Sequence, residues 1–262
     1  MSGLALRLKI FTASQLCHPA IGALAGTLFH DRIPNRGCVI DVADSVVPPS
    51  AKASLFWRFY ESAEIRFVRR YLPPDADVVE LGASLGAVSA QIAKRLNPGR
   101  RLICVEGNAA LLPLLDRNIR RNSRGAAHHV VNGAVDYSTA QELVPFRIDE
   151  QLIFSRLAGA ADPADCPLVP RVTLASLLAE HGVGEYTLVS DIEGAEAGII
   201  EADAGALANC RLVIAELHDC RFLGRRFKIE DLVGAMQHRG FRVVDRHGAV
   251  CVLAPVAHRG GT

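Results

Sequence analysis

The chain has 262 residues, of which half are hydrophobic and 22% are charged. This composition predicts a globular protein with one sizeable core and argues against a disordered chain. The formal net charge is +1, which gives no reason to expect nucleic acid as a partner. The seven cysteines are widely spaced without a C-x-x-C pair, which argues against a disulfide framework and a structural zinc site.

Residues 1–74 are predicted to form a helical extension in front of a main domain of residues 75–257. An apolar segment at 10–29 is interrupted by His18 and Pro19, so it falls short of the ~20 consecutive apolar residues that span a bilayer. No small-residue cleavage site follows it. We therefore expect this segment to pack on the domain rather than to lie on a membrane surface, and we expect a cytoplasmic protein.

A strong helical pattern follows at residues 51–72, where apolar side chains recur three and four positions apart. The proline pair at 73–74 ends this predicted helix. Most of its aromatic side chains are expected in the core, whereas Tyr60, Glu61 and Glu64 are in reach of a substrate crevice. The extension is therefore a candidate substrate cap.

The main domain contains four short apolar runs that each finish on an acidic residue. These acidic residues are Glu80, Glu106, Asp191 and Glu216. Continuous apolar runs separated by helical patterns indicate parallel strands buried on both faces. A hairpin pattern over 241–254, with its turn at 246–249, follows them. The predicted fold class is therefore α/β and Rossmann-like, with a terminal antiparallel hairpin.

The carboxyl ends of the strands in such a sheet form the crevice where ligands bind. Carboxylates at this place suit a ligand that carries hydroxyl groups and positive charge. Residues 136–171 are the least regular part and predict a long loop of the kind that forms lids. Thr173 is predicted to cap a helix, and the tail at 258–262 is expected to fray.

The segment at 80–86 lies between the first of these strands and its helix, where several chemistries use glycines. The dinucleotide pattern G-x-G-x-x-G fits poorly, because Ser84 and Ala87 stand where glycines are needed. The hydrolase pattern G-x-S-x-G is satisfied with Ser84 as nucleophile, and its partners would be Asp191 with either His218 or His247. Hydrolases place several strands before this turn, however, and here it follows the first strong strand.

A third pattern, E/D-x-G-x-x-x-G, binds S-adenosylmethionine. This cofactor has no phosphate, so the loop needs glycines for close backbone approach rather than a nest of amides. Glu106 lies 20 residues beyond Gly86, a spacing that suits a carboxylate gripping both ribose hydroxyls of an adenosine ligand. Acids that merely cap the strand-to-helix turns are the structural alternative, and Gly82, Gly86 and Glu106 together favour the cofactor.

Four segments of the chain resemble the FkbM family of methyltransferases. They are 80–86, 105–108, 132–135 and 191–196. The resemblance extends over about residues 57–254, and its most specific element is the D-x-E-G-x-E sequence of the last segment. It implies a seven-stranded class I methyltransferase sheet, S-adenosylmethionine as cofactor, and O-methylation of a hydroxyl, often on a sugar or polyketide. The family usually has Asp, Asn and Pro where Glu80, Ser84 and Gly107 stand.

The resemblance also implies individual roles. The methionine portion of the cofactor would be held by Glu80, Gly82, Ser84 and Gly86. The ribose would be bound by Glu106 with Asn108 beside it, and the adenine would lie against Asn132, Gly133 and Ala134. The acceptor would be a small molecule or a glycan, and a nucleoside-binding module without catalysis is the non-enzymatic alternative.

Transfer to a hydroxyl needs a base, and candidates follow the last two acidic strands. Asp191 is our first choice, and His218 is the second because histidine titrates near neutrality. Glu193 is a further candidate, but residues 191 and 193 alternate along the chain and are expected to face different ways. Glu196 begins a predicted helix, where a carboxylate is favoured in any case.

Two further groups of charged residues leave alternatives open. Hard oxygen ligands for Mg²⁺, which would lower the pKa of the acceptor, are offered by Asp191, Glu216 and Asp219; acidic strand ends are also ordinary crevice residues. A basic segment contains Arg221, Arg225, Arg226 and Lys228. It is either a solvated loop or a clamp for an anionic group.

Overall fold

The computed structural model describes residues 16–149, 155–159 and 161–256. The N-terminal extension begins with five elements, α1 (Pro19–Leu28), β1 (Arg32–Asn35), β2 (Cys38–Asp41), α2 (Pro49–Phe56) and α3 (Ser62–Tyr71). β1 and β2 pair antiparallel. The predictions for residues 10–15 and for the tail at 258–262 lie outside the described residues.

The remaining elements are strands and helices. In chain order they are β3 (Asp77–Leu81), α4 (Ala87–Arg95), β4 (Arg101–Glu106), α5 (Leu112–Asn122), β5 (Ala127–Asn132), β6 (Ala134–Val135), β7 (Leu143–Arg147), β8 (Arg156–Leu157), β9 (Leu168–Val172), α6 (Leu174–Glu180), β10 (Tyr186–Ser190), α7 (Glu196–Ala202), β11 (Cys210–Glu216), β12 (Cys220–Phe222), β13 (Arg225–Phe227), α8 (Ile229–His238), β14 (Phe241–His247) and β15 (Val250–Pro255). Strands and helices alternate except at β5–β9 and at the hairpins β12–β13 and β14–β15. The predicted cap at Thr173 is confirmed, because its side chain accepts from the amide of Ser176 at 3.1 Å.

The central sheet has seven strands in the order β14-β15-β11-β10-β3-β4-β5. The run from β11 to β5 is parallel, and β15 is antiparallel to both of its neighbours. This arrangement confirms the predicted Rossmann-like fold class. The chain leaves β3 toward β4 and β5 on one side and returns to β10 and β11 on the other. The carboxyl ends of β3 and β10 therefore form the switch point where such sheets bind ligands.

The parallel strands are buried on both faces, as predicted. Val78 and Leu102 face a core shared with α4, α5 and the N-terminal extension. Val79 and Ile103, one position further along each strand, face a second core shared with α6, α7 and α8. Because successive side chains of a strand point to opposite faces, both layers of helices are anchored by the same strands. No described helix is long and apolar enough to cross a membrane.

The single helix predicted at 51–72 is wrong. α2 ends at Phe56, α3 begins at Ser62, and the intervening turn contains left-handed backbone at Arg58 (φ 61°) and Glu61 (φ 43°). No glycine or proline marks this break, so the helical spacing continues through it. The turn is instead determined by tertiary contacts, since Tyr60 within it is buried in the core.

The segment predicted to be irregular, 136–171, also contains short strands that were not predicted, namely β7, β8 and most of β9. β6, β9, β7 and β8 form a small four-stranded sheet in that order. Its strands are only two to five residues long, and Val144, Phe146 and Val169 bury one face. Strands this short leave little periodicity in the sequence. The terminal hairpin is confirmed, with β14 and β15 extending to a turn at residues 248–249.

Candidate active site

A cleft enclosing about 590 Å³ opens at the carboxyl ends of β3, β4 and β10. Seven of the predicted site residues line it, namely Gly82, Ser84, Glu106, Gly133, Ala134, Asp191 and Glu193. Glu61, Phe146 and Leu157 also line it. The predicted crevice therefore exists, and elements outside the motifs complete its walls.

The turn after β3 requires glycine at its first position. Gly82 has φ 81°, and a Cβ atom there would lie 1.7 Å from the backbone oxygen of Asp191. Its amide and that of Ala83 both donate to the carbonyl of Val105 at 3.0 Å. Gly86, at the start of α4, has φ 87° and would place a Cβ atom 2.9 Å from Leu115. The loop is therefore held tightly between its neighbouring strands.

Glu106 ties this loop to the end of β4. One carboxylate oxygen accepts from the amide of Ser84 and the other from the amide of Asn108, both at 2.7 Å. Burial raises the pKa of Glu106, while the amide hydrogen bonds oppose the rise. Asn108 itself caps the following turn, because its side chain accepts from Ala110 at 3.1 Å.

Two glycines allow an aromatic wall to approach the cleft. A Cβ atom on Gly107 would lie 2.5 Å from the ring of Phe146, and one on Gly133 would lie 2.8 Å from Val172. Asn132 stands behind this wall and donates to the carbonyl oxygens of Glu106 and Gly107 at 2.9 and 3.1 Å. Asn132 therefore braces the cleft without lining it. Sequence reasoning missed Phe146, whose signal was the alternation of buried and exposed positions in β7.

Glu80 lies apart from the other predicted cofactor residues. Its carboxylate accepts from the hydroxyl of Ser89 at 2.5 Å and from the thiol of Cys104 at 3.0 Å. Burial raises its pKa to about 7. The side chain bonds within the domain and is not part of the cleft lining.

Asp191 and Glu193 converge on His218, so the expectation that they face different ways is wrong. Nε2 of His218 lies 3.9 Å from Oδ1 of Asp191 and 3.4 Å from Oε2 of Glu193. Nδ1 of His218 lies 2.8 Å from Oε1 of the buried Glu196. β10 has already ended at Ser190, and left-handed backbone at Glu193 (φ 47°) turns the chain back. Residues two apart on an extended strand share a face, so strand alternation does not separate 191 from 193, and after the turn both side chains lie near His218.

Their surroundings raise the pKa values of Asp191, Glu193 and His218. Burial and the nearby Glu216 raise the pKa of Asp191 well above its usual range, and burial raises the pKa of Glu193. Burial alone would lower the pKa of His218, but its bond to Glu196 and the surrounding carboxylates outweigh this and raise the pKa to about 9. At neutral pH the imidazole is therefore protonated.

The predicted cation ligands are not the set that the fold brings together. Within residues 16–149, 155–159 and 161–256, the group with ligand atoms within 4.8 Å of one another is Asp191, Glu193 and His218. Asp219 is exposed and accepts from the amide of Ile229 at 3.0 Å, at the start of α8. Glu216 instead shares a hydrogen bond with Glu64, which, together with burial, raises the pKa of Glu64 to about 7.

A second cleft of about 990 Å³ adjoins the first and shares Leu157 and Glu193 with it. Tyr137, Phe222 and Arg221 are among its lining residues. The basic segment, predicted as either a solvated loop or a clamp for an anionic group, forms the β12–β13 hairpin. Its residue Arg221 lines this cleft. The two clefts therefore share the carboxylate of Glu193.

A switch-point crevice with a glycine turn after the first parallel strand and a carboxylate after the second is the arrangement in which Rossmann-like sheets bind adenosine ligands. The pattern of the Methyltransferase FkbM domain matches residues 80–243, more than half of the 262 residues. The chain therefore belongs to the FkbM family and is an S-adenosylmethionine-dependent methyltransferase. No curated protein matches it significantly.

Three solved structures illustrate the similarity. Magnesium protoporphyrin IX methyltransferase of Synechocystis PCC 6803 with bound SAH is 14% identical, with a TM-score of 0.42 over 74% of this chain and 81% of that chain. Ribosomal protein L11 methylase of Lactobacillus delbrueckii subsp. bulgaricus is 13% identical, with a TM-score of 0.41 over 74% and 75%. The tRNA (uracil-54, C5)-methyltransferase of Pyrococcus abyssi with S-adenosyl-L-homocysteine is 10% identical, with a TM-score of 0.39 over 85% and 43%.

Family membership decides against the serine hydrolase and against the module without catalysis. The geometry agrees at Ser84, whose hydroxyl oxygen lies 3.0 Å from the hydroxyl of Tyr60. That partner is a phenol rather than the histidine a nucleophilic serine needs. Of the three residues of the N-terminal extension expected within reach of the crevice, Glu61 lines it, Tyr60 contacts the lining residue Ser84, and Glu64 is not part of the lining.

Proposed function

We propose that this methyltransferase methylates a hydroxyl oxygen on a sugar, either in a small molecule or in a glycan. The supporting observation is the convergence of Asp191, which lines the first cleft, with Glu193, which lines both clefts. Ionised carboxylates accept hydrogen bonds and donate none, so they suit an acceptor that presents O–H groups. The aromatic rings of Tyr137 and Phe222 in the second cleft offer apolar surface for a sugar ring.

The first cleft fits the cofactor. Glu106 would hold the ribose hydroxyls with the lone pairs that its two amide bonds leave free, because a carboxylate has about four acceptor sites. Gly82 and Ser84 would lie along the methionine portion, and Gly133 and Phe146 would pack against the adenine. When bound, S-adenosylmethionine supplies an electrophilic methyl group on a sulfonium, and its thioether leaves without an acid.

The protein must then align the acceptor and remove its proton. Alignment contributes ~7–11 kcal/mol of barrier reduction, and a placed base adds ~10²–10⁴-fold. We assign the base to Asp191, because its raised pKa brings it closer to the operating pH. His218 is protonated at neutral pH and would serve as the cationic partner of the two carboxylates. Asp191→Asn should lower kcat by about 10²–10⁴-fold.

Mg²⁺ is the alternative means of lowering the acceptor's pKa. Asp191, Glu193 and His218 would be its ligands, but Mg²⁺ prefers an all-oxygen octahedral shell. Imidazole suits other metals better, and His218 already has an ionic role. We therefore propose that the transfer proceeds without a metal. A chelator should leave the rate unchanged, and a loss restored by Mg²⁺ would contradict this proposal.

The decisive experiment begins with native mass spectrometry of the freshly purified protein, which should detect copurified S-adenosylmethionine or S-adenosylhomocysteine. Glu106→Ala should abolish this copurification, and calorimetry should confirm a sharp loss of affinity. Methyl transfer from labelled cofactor is then measured on panels of sugars, RNA and protein. Label that enters RNA or protein but no sugar would overturn the acceptor class. Ser84→Ala should retain much of the transfer activity.

A further inference from the structure

Glu61 lines the cofactor cleft from the N-terminal extension, outside the residues that match the family. It lies at the junction of α2 and α3, beside Gly82, Ser84 and Asp191 in the cleft wall. The preceding Tyr60 is 4% exposed, and its hydroxyl lies 3.0 Å from that of Ser84. The extension is therefore held on the glycine turn at the position where Glu61 enters the cleft.

Two features of Glu61 are energetically unfavourable in the protein without a ligand. Its backbone has φ 43° and ψ 42°, the left-handed conformation that a residue with a side chain rarely adopts. Its Oε2 atom is shielded from solvent and has no hydrogen-bond partner among the described residues. The charged groups that act on it most strongly, Asp191 and Glu64, are also negative. A buried carboxylate without a partner is costly, and strain of this kind points to a functional role.

The other carboxylates of the cleft face an amide donor or a cation, although Oδ1 of Asp191, 3.9 Å from Nε2 of His218, makes no hydrogen bond among the described residues. Both oxygens of Glu106 accept backbone amides, and Asp191 and Glu193 face His218. The described residues that line this cleft include no lysine, arginine or histidine. Glu61 is thus a carboxylate beside the glycine turn that is left to receive a cationic group from a ligand.

We propose that Glu61 binds the α-ammonium group of the methionine portion of S-adenosylmethionine. The inference rests on the proposed function, in which the glycine turn lies along that portion of the cofactor. A charge-assisted hydrogen bond from the ammonium would give the unpaired Oε2 atom of Glu61 a partner. Tyr60 would act as a positioning residue, because its contact with Ser84 holds Glu61 over the turn.

Calorimetry with three ligands tests this role. S-adenosylmethionine carries the ammonium and the sulfonium, S-adenosylhomocysteine carries the ammonium alone, and 5′-methylthioadenosine carries neither. Glu61→Gln should weaken the first two about tenfold or more and change the third less than twofold. The control is Glu180→Gln, an exposed carboxylate at the end of α6 and outside the cleft lining, which should leave all three affinities unchanged.

A second variant separates binding from folding. Glycine suits the left-handed backbone at this position, so Glu61→Gly should keep the melting temperature or raise it while losing the same affinities. An equal loss for 5′-methylthioadenosine, a loss confined to S-adenosylmethionine, or no loss at all would overturn the assignment to the ammonium. Wild-type protein that binds none of the three ligands would overturn the proposed cofactor site, and the role of Glu61 with it.

Discussion

Gly82 illustrates a residue whose identity is decided by contact as well as by backbone conformation. A Cβ atom would meet the backbone oxygen of Asp191 at 1.7 Å, and neither backbone can move without displacing a sheet strand. We expect Gly82→Ala to lower the free energy of unfolding by about 3 kcal/mol or more. Urea denaturation measures the change.

Gly99 is the matched control for this prediction. Its φ is 83°, close to that of Gly82, but a Cβ atom there would meet nothing within 4 Å. Gly99→Ala should therefore cost only the left-handed strain, about 1–2 kcal/mol. Equal losses for the two variants would show that the contact with Asp191 contributes nothing.

Glu80 should make stability depend on pH. Burial raises its pKa from 4.5 to about 7 in the folded protein, so between these values the folded state binds a proton that the unfolded state has released. The free energy of unfolding should therefore fall as pH rises from about 4.5 to 7, by up to about 3 kcal/mol from this group.

Glu80→Gln should flatten that part of the pH profile, as measured by urea denaturation at a series of pH values. The exposed Glu180 provides the control, and Glu180→Gln should leave the profile as it is in the wild type. A profile for Glu80→Gln as steep as that of the wild type would contradict the assignment to this carboxyl.

At the scale of elements, the cleft depends on how the small sheet docks against β4. The ring of Phe146, in β7, occupies the space in which a side chain on Gly107 would lie. Gly107→Ala should therefore lower the free energy of unfolding by about 1–3 kcal/mol. Phe146→Ala alone should cost about 3–5 kcal/mol, because the ring is 8% exposed.

The double variant tests whether the two residues act through one contact. Removing the ring gives the new methyl group room, so the combined loss should be smaller than the sum of the single losses by at least about 1 kcal/mol. Urea denaturation of the four proteins gives this coupling free energy. Additive losses would indicate that Gly107 is required for another reason.

The same scale shows why some elements could not be predicted. Helical spacing continues from residue 51 to 72, yet the chain breaks at 57–61 because Tyr60 packs in the core and against Ser84. β6 to β9 are held by pairing between segments far apart in sequence. In contrast, β3, β4, β10 and β11 carry their own apolar runs, so their existence and ends could be predicted.

At the scale of the whole molecule, the cleft joins the N-terminal extension, three strands of the central sheet and the small sheet. A ligand that bridges these parts should stabilise the fold as one unit. S-adenosylhomocysteine at 100 times its Kd should add about 2.7 kcal/mol, which is a rise in melting temperature of about 5–11 °C for a domain of this size.

Glu106→Ala should abolish this rise at the same ligand concentration, because the variant loses the proposed ribose contact. Differential scanning fluorimetry measures both proteins. A wild-type melting temperature that does not respond to the ligand would argue against the cleft as the cofactor site.

The sequence by itself determined the alternation of strands and helices, the terminal hairpin and the acidic ends that mark the crevice, because burial and turn chemistry act on neighbouring residues. The family pattern in the same segments determined the class of enzyme. Tertiary structure alone decided that Asp191 and Glu193 meet His218 and that Phe146 closes one wall. These contacts join residues distant along the chain, and local periodicity carries no record of them.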